Sequence, residues 1–161
     1  RNLFKGNGEG TFYPNDNVTR AMLVTILHRM AGEPTAEKVS YKDVPPEHWA
    51  ADAISWAVAN GIAQGTSEHN FSPDAPITRE QLTAILYRYA MKSEIPDEGK
   101  TDINNFSDNK SVSTWASEAL SWAVGNKIIN GRTDNTLNPL GTATRGEVAA
   151  MLQRYILLSS K

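Results

Sequence analysis

Residues 61–80 read GIAQGTSEHNFSPDAPITRE, and the chain writes this segment three times. Residues 2–21, NLFKGNGEGTFYPNDNVTRA, are an earlier copy, and residues 127–146, KIINGRTDNTLNPLGTATRG, a later one. Each copy carries Gly, five intervening residues, an aromatic residue or Leu, one more residue and Pro. A polar stretch follows, and Thr-Arg then opens a helix-patterned run. Repetition of this kind sets architecture before any single motif does. It also presents any chemistry in copies, which suits a multivalent binder better than an enzyme with one asymmetric site.

The anchors are Thr19-Arg20, Thr78-Arg79 and Thr144-Arg145, spaced by 59 and then 66 residues. A second segment precedes the last two: YKDVPPEHWAADAISWAVANGI from 41 and FSDNKSVSTWASEALSWAVGNKI from 106. Trp49 to Thr78 and Trp115 to Thr144 are both 29 residues, so the unit has constant length and the difference lies in the linkers. The repeats are read as 1–32 (second half only), 41–91 and 106–158, joined by linkers 33–40 and 92–105 whose Pro, Glu, Ser and Gly suit exposed connections. About two and a half units are present, and the start is expected to cut into a longer protein.

Trp49, Ala53, Ile54, Ala57 and Val58 recur at helical spacing, as do Trp115, Ala119, Leu120, Ala123 and Val124, predicting a helix with one apolar stripe in each unit. Gly61 supplies a C-terminal stop for the first. The runs after Thr-Arg show a second stripe: Met22, Leu23, Ile26, Leu27 and Met30; Leu82, Ile85, Leu86 and Tyr89; Val148, Met151, Leu152 and Tyr155. Three such helices can bury their stripes together. The Gly-, Asn- and Pro-rich loops are too full of turn-formers for long strands. The fold expected is all-α, a pseudo-threefold helical-repeat spindle with a central three-helix bundle and helix-loop-helix lobes.

Thr78 with Gln81, and Thr144 with Glu147, have the spacing of a capping box; Thr19 with Met22 keeps only the cap. Arg20, Arg79 and Arg145 are less expected, because the helix dipole disfavours a cation in the first turn. Arg29, Arg88 and Arg154, nine residues later, lie where the dipole welcomes charge and require no functional reading. A first-turn Arg beside free backbone N–H groups makes an anion receptor for a carboxylate or phosphate; the alternative is an ion pair with an acid of the neighbouring unit. Three such sites suggest an acidic polymer held by repeated weak contacts. Gly6, Gly65 and Gly131, each 14 residues before that Arg, read as turn glycines with positive φ, or as bare backbone that a sugar can approach. Trp49, Trp56, Trp115 and Trp122 have core spacing, with sugar stacking as the alternative. Asp43 and Asp108 read as caps or as Arg partners.

Taken together these residues resemble S-layer homology repeats, whose pattern is roughly Phe-x-Asp-Val, Trp-Ala, an Ala-rich helix, Gly-Ile-x-x-Gly, Phe-x-Pro and Ile-Thr-Arg-Ala-Glu. The middle unit matches throughout, the third has Leu137 in the aromatic place, and the first matches only from its loop onward. The resemblance implies a three-repeat spindle at the outer bacterial wall. It implies non-covalent binding of secondary cell-wall polysaccharide in grooves between repeats, often through N-acetylmannosamine bearing a pyruvate ketal. The ketal carboxylate would meet the Arg. Met22 departs from the usual acid or amide, and the absent first lobe helix removes a groove wall, so Arg79 and Arg145 are favoured over Arg20. Arg79, Arg145, Arg20, Thr78, Thr144, Thr19, Gln81, Glu147, Gly65, Gly131, Gly6, Trp49 and Trp115 are the expected polysaccharide contacts.

Composition narrows the other classes. A formal charge of −2 over 161 residues gives no footprint for nucleic acid, no apolar run spans a bilayer, and the absence of Cys excludes thiolate chemistry. His28, His48 and His69 lack metal spacing, Gly99-Lys100-Thr101 lacks the first Gly of a phosphate loop, and Asp74, Asp134 and Asn135 lack the spacing of a calcium loop. No catalytic set, metal or cofactor is expected. The alternatives are a helical-repeat protein-interaction module, or the wall-binding part of a larger surface glycoside hydrolase. S-layer neighbours or an upstream domain of the same protein are further expected partners.

Overall fold

The computed structural model describes residues 11–95 and 99–160. They form five helices: α1 Arg20–Met30, α2 Ala51–Ala59, α3 Arg79–Lys92, α4 Ser117–Gly125 and α5 Arg145–Leu158, with single 3-10 turns at Asn109–Ser111 and Thr114–Ala116. Among the described residues β-structure is limited to isolated bridges, so the fold is all-α, as expected. Among the described residues, no helix is long and apolar enough to cross a membrane.

The three long helices start alike. Thr19, Thr78 and Thr144 are extended N-caps whose hydroxyls accept from the N3 amide, and Gln81 and Glu147 complete capping boxes. The residue before each Thr lies at the centre of the molecule. Val18 N donates to Ala143 O (3.0 Å), Ala143 N to Ile77 O (2.9 Å) and Ile77 N to Val18 O (2.9 Å). These hydrogen bonds form a closed ring linking all three units, and its members are fully buried.

The first-turn amides are satisfied by the next unit. Arg20 N and Ala21 N donate to Ala75 O and Pro73 O, Arg79 N and Glu80 N to Gly141 O and Pro139 O, and Arg145 N and Gly146 N to Asp16 O and Pro14 O. A helix start normally leaves such donors unpaired. Here each Pro-containing loop supplies acceptors to the preceding repeat, and the first loop serves the third. Neighbouring units therefore depend on one another for their helix starts.

The shorter helices pack across repeat boundaries, α2 on α1 and α4 on α3. Trp56 lies against His28 (ring centroids 5.2 Å apart) and Trp122 against Tyr87 (5.3 Å). α2 ends as expected at Gly61, with φ +66°. Gly61 N donates to Val58 O and Ile62 N to Ala57 O, which closes the last turn in the Schellman pattern. In α4 the same geometry is carried by Lys127 at φ 59°.

The Trp helices depart from expectation at their starts. Trp56 and Trp122 are core, but Trp49 and Trp115 are 59% and 54% exposed. Trp49 precedes α2 and Trp115 sits in the 3-10 turn before α4, so the helical phase that would turn them inward does not reach them.

Tyr155 is buried near Tyr89, with ring centroids 5.7 Å apart. Burial raises the pKa of its phenol from 10.0 to about 12, opposed by a hydrogen bond with Ser93. The unfolded chain loses this proton first, so stability is unaffected below about pH 10 and falls as pH rises from there towards 12, by up to about 1.4 kcal/mol per unit. Denaturant midpoints measured from pH 9 to 12 should show the fall, and Tyr155→Phe should flatten it.

Candidate functional site

The loop between the helices of a unit is shaped by the Asp of the Tyr/Phe-x-Asp motif. Asp43 accepts from Phe71 N (2.9 Å) and Ser72 N (2.7 Å), and Asp108 from Leu137 N (2.9 Å) and Asn138 N (2.7 Å). These carboxylates are neither helix caps nor direct Arg partners; they clamp the residues preceding each Pro.

Gly65 and Gly131 do not have positive φ. Their reason is close approach. A Cβ on Gly131 would stand 2.4 Å from the Phe106 ring, and one on Gly65 2.7 Å from the Tyr41 ring and 2.6 Å from Ser67 O. Gly65 N also donates to Tyr41 Oη. Each glycine accommodates the aromatic ring of its own repeat's motif. Gly6 lies outside the described residues.

The Arg side chains follow one scheme. Arg20 is 6% exposed; its Nε donates to Phe71 O (3.0 Å), its Nη2 to Gln64 O (2.7 Å), and its guanidinium lies 4.7 Å from the centre of the Phe71 ring. Arg79 Nε donates to Leu137 O (2.9 Å), and Arg145 Nε to Phe12 O (2.8 Å) beneath the Phe12 ring. Desolvation lowers the pKa of Arg20 and of Arg79, opposed at Arg20 by Tyr41 and Asp43 and at Arg79 by Glu147. Carbonyls of the next repeat accept from each guanidinium, which accounts for a cation in a first turn that the dipole disfavours. The expectation of free backbone N–H groups beside the Arg is corrected: these donors are taken by the adjoining loop and the Thr cap. For Arg79, the ion pair with a neighbouring unit is realised, Nη1 standing 3.0 Å from Glu147 Oε1.

Two hollows occupy equivalent places between units. The first, about 410 Å³, is lined by Arg20, Gln64, Gly65, Thr66, Gln81, Ala84, Ile85, Arg88 and Trp115. The second, about 220 Å³, is lined by Arg79, Ile129, Asn130, Arg132, Glu147, Ala150, Met151 and Arg154. The repeats superimpose these lists: Arg20 on Arg79, Gln64 on Asn130, Thr66 on Arg132, Gln81 on Glu147, Arg88 on Arg154. Trp115 has no counterpart in the second. Trp49 instead borders a third hollow of about 490 Å³ with His28, Arg29, Lys38 and Asp52.

Of the expected contacts, Arg20, Gly65, Gln81 and Trp115 thus meet around one cavity, and Arg79 and Glu147 around another. Thr19, Thr78 and Thr144 are engaged as caps, and Arg145 is bound to the first loop. Arg88, Arg154, Thr66 and Arg132 were not anticipated. The recurrence of Arg nine residues after each Thr-Arg was visible, but the helix dipole accounted for it. Only the groove shows that these side chains share a cavity with the first-turn Arg.

Comparison with known proteins agrees with the geometry. The S-layer homology domain family matches residues 1–21, 40–83 and 105–149. An amylopullulanase of Thermoanaerobacterium thermosulfurigenes is 34% identical over 154 residues, covering 94% of this chain and 8% of that protein. The surface-layer 125 kDa protein of Lysinibacillus sphaericus is 32% identical over 157 residues, 96% of this chain and 13% of that one. A cellulosome-anchoring protein of Acetivibrio thermocellus is 29% identical over 162 residues, 96% of this chain and 35% of that one. The chain therefore spans a small part of these relatives, whether their names describe enzymes or surface proteins. With its three matched segments and its interlocked repeats, the chain belongs to the S-layer homology domain family, the modules that hold proteins at the bacterial cell wall.

Proposed function

We propose that this module binds an acidic secondary cell-wall polysaccharide, one carrying pyruvate ketals on N-acetylmannosamine, through the Arg-bearing grooves between its repeats. It thereby tethers a larger surface protein. The observation that carries this reading is the first groove, where Arg20 and Arg88 line the same cavity as the exposed indole of Trp115. A guanidinium receives a carboxylate, and an exposed aromatic face receives the apolar face of a sugar. Arg79 and Arg145 offer related but differently occupied positions.

The tethered protein is proposed to be an S-layer protein or an extracellular polysaccharide-degrading enzyme, since relatives bearing both kinds of name match across nearly the whole chain. The module contributes attachment and no catalysis of its own. Binding to Gram-positive wall sacculi, before and after hydrofluoric-acid removal of secondary polysaccharide, tests the proposal. Retention should disappear on stripping. Equal retention on both would instead indicate peptidoglycan or a nonspecific surface.

A further inference from the structure

The two inter-repeat grooves share a framework and differ at one capping position. In the second groove that position is Glu147. Its Oε1 lies 3.0 Å from Arg79 Nη1 and 3.5 Å from Arg132 Nη2, while Oε2 accepts from Thr144 N at 2.9 Å. The protein's own carboxylate therefore occupies the place where a ligand carboxylate would meet Arg79. Arg132, standing where the first groove has Thr66, is drawn to the same oxygen.

The first groove has Gln81 at this position. Its Oε1 caps Thr78 N at 3.3 Å and adds no charge. Arg20 is anchored through Nε and Nη2, and its Nη1 has no hydrogen-bond or ion-pair partner among the described residues. Arg88 likewise has none. The cavity here is about 410 Å³, against about 220 Å³ in the second groove. Its aromatic wall is also braced. The buried Glu80 carboxylate accepts from Ser113 N (3.0 Å) and Ser113 Oγ (2.8 Å), two residues before Trp115. The residue equivalent to Glu80 in the third repeat is Gly146, which cannot make such a brace.

We propose that the residue three places after the cap Thr decides which groove is open: Gln81 leaves the first groove ready for a carboxylate-bearing sugar, and Glu147 closes the second by occupying Arg79. This rests on the reading that the grooves take an acidic glycan. The physical basis is that an incoming carboxylate must break the Arg79–Glu147 pair and then lie beside the displaced Glu. No such pair stands in its way at Arg20.

The position can be exchanged without removing a cap. Gln81 and Glu147 each complete a capping box in this chain, so Gln81→Glu and Glu147→Gln each install a residue that the fold already uses there. The probe is a methyl N-acetylhexosaminide bearing a 4,6-pyruvate ketal, titrated calorimetrically into the whole chain, with the ketal-free glycoside as control. The unsubstituted chain should bind the ketal and not the control. Gln81→Glu should weaken the first site by about tenfold or more, and Glu147→Gln should raise the number of sites by one. Any site at Arg145 adds equally to all three proteins. If the unsubstituted chain ignores the ketal, the acidic-glycan reading and this inference both fall. If it binds, but Gln81→Glu binds equally well or Glu147→Gln adds no site, the assignment of open and closed grooves is overturned and the glycan reading stands.

Discussion

Arg20→Ala should lower the stability of the folded chain by on the order of 3 kcal/mol. The side chain is 6% exposed and lies against Phe71, so truncation leaves a cavity beside a fully buried ring. It also removes the donors that satisfy Phe71 O and Gln64 O. Those carbonyls belong to the second repeat and Arg20 to the first, so the loss falls on the joint between units. Urea denaturation followed by helical circular dichroism measures it. Arg88→Ala is the contrast, because Arg88 is half-buried and lacks a hydrogen-bond or ion-pair partner among the described residues. Its stability should change by no more than about 0.5 kcal/mol, while wall binding weakens. An unaltered melting curve for Arg20→Ala would mean that the first-turn Arg has no latching role.

A comparable loss is expected for Asp108→Ala. One carboxylate accepts from two consecutive backbone amides, Leu137 N and Asn138 N, and so fixes the bend that carries Leu137 into the core. Removing it leaves both donors without their charged acceptor, at a cost of about 3 kcal/mol in total. Asp108→Asn retains an acceptor and should cost less than Asp108→Ala. Asp43→Ala should behave similarly through Phe71 N and Ser72 N. Thermal melts of this small set, all performed at pH 7, give the comparison directly. If Asp108→Asn were as damaging as Asp108→Ala, charge rather than acceptor geometry would be the dominant factor.

Much of this was legible in the residues. Thr-x-x-Gln and Thr-x-x-Glu announced two capping boxes, Gly61 announced the end of α2, and the apolar stripes announced all five helices. What escaped was long-range. Gly131 reads as a turn glycine until the Phe106 ring, 25 positions earlier, is seen against its α-carbon. Arg20 and Arg79 read as open anion receptors until loop carbonyls more than fifty residues away are found on them. Trp49 and Trp115 have core periodicity, yet their helices begin too late to turn them inward. Local pattern records spacing along one chain segment; which repeat supplies the acceptor is decided only by how the three units close on each other.

The most direct test of the account is a nitrogen-15 correlation spectrum of the folded chain, titrated with acidic wall polysaccharide. The four Trp indoles report separately, two exposed and two buried. The predicted result is a shift of the Trp115 indole and the Arg20 Nε–H that follows one binding curve, with Trp56 and Trp122 unmoved and no shift when the polysaccharide lacks its carboxylates. A Trp115 signal indifferent to the polysaccharide, or equal shifts with and without carboxylates, would contradict it.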